Sequence, residues 1–258
     1  MGNSNYITSG FHAIEEYLRS GMAGTLYTTE SQNKRVRDIL VQAKKTGLSI
    51  IRLTPRDFED KAASYGLDHG LRGVFLVGER SSQRHQKTFD TFIDSLKSST
   101  PSSSLVLVLQ EITDPHNLGA ILRTADQFAV DGVILPQRRT ASITPVVSRI
   151  SSGADQYVPL YQVSNLVRAV EQLKNLGYWV YGADMKGSSV ATVNLSGMVC
   201  LILGSEGKGI GRLMEDHCDQ LVSIPTGGKI DSLNVSVATG ILCYEVRRQQ
   251  GNPQGKGD

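Results

Sequence analysis

The stretch LILGSEGKGIG, residues 201–211, runs apolar residues into a loop that holds Gly204, Gly207, Gly209 and Gly211, with Glu206 and Lys208 between them. Glycines at the end of a strand let backbone N–H groups turn toward a ligand and approach it closely. Spacing excludes two nucleotide cradles. The phosphate loop needs Gly, four residues, then Gly-Lys-Ser/Thr, the dinucleotide fingerprint needs G-x-G-x-x-G, and neither occurs here. Glu206 would also repel a pyrophosphate. A ligand with adenosine-like parts, no phosphate and a positive charge fits the loop. On spacing alone, so does an ordinary strand-to-helix turn.

Two further stretches place polar groups in comparable positions. In EITDPHNLGAILRTAD, residues 111–126, Asp114-Pro115 makes a turn, and Leu118, Ile121, Leu122 and Ala125 form the apolar stripe of a helix. Asn117 lies at the start of that helix, where capping is open to it. Arg123 falls on the opposite side, facing an anion or plain solvent. In IPTGGKIDSLNVSVATGILCYEV, residues 224–246, Gly227-Gly228 allows unusual backbone angles, and Asp231, Ser232 and Asn234 are capping residues before a helix. That helix carries Val235, Val237, Ala238, Ile241, Leu242 and Tyr244 and has little polar face, which fits a core element or a subunit interface.

The elements that must position these loops alternate between two periods. From Ser9 the pattern predicts a short helix with Phe11, Ile14 and Leu18 on one face, then the strand TLYTT, a helix over KRVRDILVQAKKTG and the strand LSIIRLT. PRDFEDKAASYG opens on a proline suited to a first helical turn, and GVFLVG is the last apolar strand of this small α/β piece. A polar linker, ERSSQRHQK, follows. Beyond it, Phe89, Phe92, Ile93 and Leu96 lie at helical spacing, and LVLVL, GVILP, YWVYGA and MVCLILG are unbroken apolar runs suited to strands covered on both faces. SNLVRAVEQLKNLG reads as a helix capped by Ser164 and ended by Gly177. The expected fold class is α/β, a mostly parallel sheet with helices on both faces, and ligands in such sheets sit beyond the carboxyl ends of the strands. Glu111–Gly119, Gly204–Gly211 and Pro225–Leu233 all emerge there.

The totals narrow the class. At 258 residues the chain can bury one large core or two modest ones. Cys200, Cys218 and Cys243 make no metal-like cluster, and an odd number argues against a secreted disulfide framework, so buried thiols in a reduced cytoplasm are expected. No stretch approaches the ~20 apolar residues of a membrane span, and MGNSNYITSG lacks the order of a signal peptide. Residues 1–87 carry 13 Lys+Arg against 9 Asp+Glu, a difference of +4, whereas residues 88–258 carry 14 against 16, a difference of −2. The front piece is the one suited to a polyanion.

Taken in order, DPHNLGAILRTAD, LILGSEGKGI and IPTGGKIDSLNVSVATGILCYE resemble the three motifs of the SpoU (TrmH) family of RNA ribose 2′-O-methyltransferases, over residues 105–247. The front piece, with SGFHAIEEYL and HGLRGVFL, resembles the bacterial 23S rRNA guanosine 2′-O-methyltransferase branch, whose first domain is similar to a ribosomal-protein-like RNA-binding module. That branch usually shows His-Gln-Gly where this chain has His69-Gly70-Leu71. The resemblance implies an RNA-binding domain over 1–80, a linker over 81–88, a methyltransferase domain over 89–250 with a C-terminal trefoil knot, and a tail over 251–258. It implies S-adenosylmethionine as cofactor, with Gly204, Ile224 and Leu233 binding it and no metal; this ligand has an adenosine and a sulfonium cation but no phosphate. It further implies Arg123 as the catalytic residue with Asn117, Glu206, Ser232 and Asn234 around it, a 23S rRNA guanosine as acceptor, and a cytoplasmic homodimer without membrane attachment. Guanidinium resists deprotonation, so Arg123 is expected to bind RNA phosphate and the developing alkoxide, with a desolvated base as the alternative. Other readings are a tRNA or different rRNA target, or an RNA-binding assembly protein without turnover.

Overall fold

The computed structural model describes residues 6–30, 33–67, 71–78, 88–99, 101–205, 207, 209–228 and 232–251. Outside these lie His69-Gly70, all of the expected linker but Thr88, the tail beyond Gly251, Lys208, Asp231 and the expected site residue Glu206. The chain divides into two compact units, Met1–Gln86 with Ser142–Tyr157, and Lys87–Ala141 with Val158–Asp258.

The first unit runs β1 (Tyr6–Thr8), α1 (Phe11–Arg19), β2 (Gly24–Thr28), α2 (Lys34–Lys45), β3 (Ser49–Arg52), α3 (Pro55–Ala63) and β4 (Val74–Gly78). Its sheet has the order β1-β4-β2-β3, with only β2 and β3 parallel. One cluster buries Tyr6, Ile14, Tyr17, Leu26, Ile39 and Leu76, and another gathers Phe58 and Phe75 with Tyr27 and Tyr65 against them. Three residues give β1 too little pattern to be read in advance.

The second unit contains α4 (Phe89–Ser99), β5 (Ser104–Leu109), α5 (Pro115–Gln127) and β6 (Gly132–Pro136). After α6 (Pro145–Ile150), which groups with the first unit, it resumes with β7 (Leu160–Val163), α7 (Leu166–Lys174), β8 (Trp179–Ser189), β9 (Met198–Leu203), α8 (Arg212–Glu215), β10 (Gln220–Ser223) and α9 (Val235–Gln249). Within the first unit, the Tyr157 hydroxyl near α6 donates to the Glu16 carboxylate at 2.7 Å.

The six strands take the order β10-β8-β9-β5-β6-β7, and every pairing is parallel. Val106, Val108, Ile134, Cys200 and Ile202 meet α4 and α7 through Phe92, Ile93, Val170 and Leu173. Leu105, Leu107 and Leu109, the alternate residues of β5, are fully buried toward the other face. Helix α9 packs along α5 and touches β9. The sequence-based cap of α7 is corrected by one residue: Asn165, not Ser164, accepts the Arg168 N–H at 3.0 Å. Strands β7 and β10 escaped the sequence reading because their half-exposed residues make no apolar run.

Arg247 fixes the pair of helices that matter most for the site. It is 7% exposed, its Nε donates to the Phe128 carbonyl at 2.8 Å and its Nη2 to that of Ala129, so α9 closes the carboxyl end of α5. Each carbonyl left without such a donor would cost about 1–3 kcal/mol. No helix among the described residues is long and apolar enough to cross a membrane.

Candidate active site

Parallel pairing sets Leu109 beside Leu203, so Gln110 and Gly204 leave the sheet side by side at its carboxyl edge. The Gln110 N–H donates to the Leu203 carbonyl at 2.8 Å, and its side-chain Oε1 accepts the Gly211 N–H at 3.3 Å. The first loop is thereby tied to the glycine loop. Gln110 was not among the residues the sequence singled out, although a lone amide at the end of LVLVLQ was the available signal.

The glycine loop turns back on itself, with the Gly209 N–H donating to the Ser205 carbonyl at 3.0 Å. A Cβ on Gly204 would collide with the Gly209 carbonyl and the Ile210 nitrogen. A Cβ on Gly207, in contrast, would meet no atom within 4 Å. The loop is closed tightly at its root by backbone against backbone, which is the form of a cradle whose walls are backbone. Such walls suit a ligand bound through backbone groups, as an adenosine without phosphate would be.

The first loop also reaches the third. Asp114 caps α5 by accepting the His116 N–H at 2.9 Å, with Pro115 in the first turn. Asn117 is thus released from capping; it is 9% exposed, and its Oδ1 accepts from Asn234 Nδ2 at 2.9 Å. Asn234 is the cap of α9, its Oδ1 accepting the Ser236 and Val237 N–H groups at 2.9 and 3.4 Å. One side chain therefore starts α9 and joins it to α5.

Arg123 lies six residues after Asn117, about 120° around the helix axis. It is exposed and makes no hydrogen bond or ion pair among the described residues. Ser232 is exposed as well, Leu233 is 37% exposed, and Ile224 follows the last residue of β10, two strands away from Gly204. The structure brings Asn117 and Asn234 into contact, while Arg123 and Ser232 are exposed and form no hydrogen bond with another described residue.

The thiols take no part. Burial pushes Cys218 and Cys243 up to about 12 and Cys200 higher still, so none of them offers a thiolate nucleophile. Among the described residues no group of three His, Cys, Asp or Glu could hold a metal ion.

Residues 104–244 match the family model described as the SpoU rRNA Methylase family. An uncharacterized tRNA/rRNA methyltransferase of Borreliella burgdorferi is 40% identical over 225 residues, 85% of this chain and 96% of that protein. The 23S rRNA (guanosine-2'-O-)-methyltransferase RlmB of Neisseria meningitidis serogroup B is 36% identical over 245 residues, 93% of this chain and 94% of its own. In fold, the chain is similar to the SpoU methyltransferase AviRb of Streptomyces viridochromogenes in complex with AdoMet. That likeness has a TM-score of 0.74 at 22% identity and covers 97% of this chain and 92% of the other.

Proposed function

The chain belongs to the SpoU rRNA methylase family, and from that premise we propose that it methylates the ribose 2′-hydroxyl of a guanosine in 23S rRNA. The cofactor is S-adenosylmethionine, which supplies a methyl group made electrophilic by the sulfonium. The observation that carries the reading is the single linked edge of the sheet, where Gln110 ties the first loop to the glycine loop and Asn117 ties it to the third. Holding an acceptor and a donor in line supplies much of the acceleration in a displacement of this kind.

Gly204, Ile224 and Leu233 hold the cofactor, the first through the closed root of the glycine loop. Arg123, exposed and without an ion pair among the described residues, takes an RNA phosphate and the charge that grows on the 2′-oxygen as its proton passes to solvent. Asn117 and Asn234 set the angle between α5 and α9; Ser232 faces the target nucleotide, and Glu206 orients the glycine loop. The first unit, with its basic excess, supplies affinity for the RNA backbone, which the salt dependence of RNA binding measures. The C-terminal part is threaded as a trefoil knot, and the enzyme works in the cytoplasm.

The protein is a homodimer through α9. Val237, Ile241 and Tyr244 of α9 follow one another at helical spacing and are 50%, 38% and 58% exposed, while Thr239, Leu242, Cys243 and Val246 are buried on the opposite face. The helix that reads as apolar nearly all round thus has one covered side and one bare one. Light scattering on the eluting protein is expected to give twice 28.0 kDa; a monomer mass would remove the dimer from the proposal.

A nucleotide-resolution map of ribose methylation in cells with and without the protein tests the main reading. Loss of one 2′-O-methylguanosine in 23S rRNA is the expected result. Loss at a tRNA position would replace the substrate, and an unchanged map would overturn the activity.

A further inference from the structure

We infer that Asp184 is a cofactor-binding carboxylate that faces the sulfonium of S-adenosylmethionine and favours this charged donor over the demethylated product. The inference rests on the cofactor reading above. Its first support is topological. Strand β8 lies between β9 and β10, the two strands that lead into the second and third loops. Gly182 of β8 is level with Ile202 of β9 and Leu221 of β10. The β8–β9 pairing ends there, and Asp184 and Gly204 each follow its last pair by two residues.

The second support is a bulge. After Leu221 pairs with Gly182, the next partner of β10 is Ser188 to Val222, so residues 183–187 have no counterpart on that strand. Bulges redirect side chains and gather beside active sites. The bulge closes at Gly187, where any Cβ would collide with the Leu221 carbonyl and the Val222 nitrogen. Within it, Asp184 Oδ1 accepts the Lys186 N–H at 2.9 Å, which fixes the carboxylate. Its Oδ2 makes no hydrogen bond among the described residues and lies 3.4 Å from the point a Cβ on Gly209 would occupy. Lys186, the other charged residue of the bulge, is exposed and forms no ion pair among the described residues. A carboxylate oxygen of the half-buried Asp184 thus stands against the glycine loop with no hydrogen-bond donor among the described residues.

The chemistry follows from the change of charge at sulfur. During transfer the ribose 2′-oxygen would bond to the methyl carbon and give up its proton to solvent, while the sulfur–methyl bond breaks with its electron pair left on sulfur, so that the sulfonium becomes a neutral thioether. A fixed negative charge nearby stabilises the first state and has little hold on the second. It would therefore load the donor and release the product.

Calorimetric titration of the full chain with S-adenosylmethionine and with S-adenosylhomocysteine separates the possibilities. Asp184→Asn keeps an Oδ1 acceptor for Lys186. It is expected to weaken the donor about tenfold and the product less than about twofold, as the loss of one close charge pair would. The melting temperature without ligand checks the fold of the variant. In the unaltered protein, raising the salt concentration should weaken the donor more than the product. Equal weakening of both ligands, or no change in either, overturns the assignment. An unaltered protein that binds neither ligand would instead overturn the cofactor reading.

Discussion

Arg123→Ala is expected to lower methyl transfer by about a thousandfold, the scale of losing a donor aimed at developing oxyanion charge. Cofactor affinity and melting temperature should stay where they are, because Arg123 is exposed and makes no hydrogen bond or ion pair among the described residues whose loss could unsettle α5. A single-turnover assay with labelled cofactor reads the chemical step apart from product release. Arg123→Lys keeps a charge but loses the planar fork that can hold a phosphate and an alkoxide together, so it should recover no more than about a tenth of the rate. A variant with alanine at this position that turned over at the original rate would remove Arg123 from the site. A lysine variant with full activity would leave the charge and discard the fork.

The parts of this arrangement that the sequence displays are those set by local chemistry. LVLVL, GVILP and MVCLIL are apolar without a break because strands in an all-parallel sheet are covered on both faces, and all three are strands. Asp114-Pro115 and Asn234 announce the starts of α5 and α9 by capping rules that act within a few residues. What stayed hidden depends on register and on distant partners. Asn117 reads as a possible cap; only the structure shows that Asp114 takes that task and leaves Asn117 to bond with a residue 117 positions away. Gln110 looks like the end of a strand until Gly211 is seen to donate to it. The bulge at residues 183–187 has no local signature, because it exists only as a slip between β8 and β10. The grouping of Ser142–Tyr157 with the first unit is equally invisible, since no composition change marks it.

The tight root of the glycine loop leads to a second large effect. Gly204→Ala adds one methyl group, and the atoms it meets are the Gly209 carbonyl and the Ile210 nitrogen, which cannot swing aside as a side chain would. The loop must open, and the Ser205–Gly209 pairing that folds it back must go with it. Since Leu203 ends a central strand held on one side by Leu109 and on the other through the Ile202–Gly182 pair, the damage should stay beyond the sheet. Overpacking of this kind costs about 1–3 kcal/mol, so the variant should still fold with a lowered melting temperature. Cofactor binding should fall far more steeply, by roughly a hundredfold or about 2.7 kcal/mol, because a backbone cradle loses all its contacts when its shape changes. Calorimetry on the folded variant makes the comparison. Near-normal affinity would mean that the closed root is only a strand-to-helix turn, and the cofactor would have to be sought at another loop of the same edge.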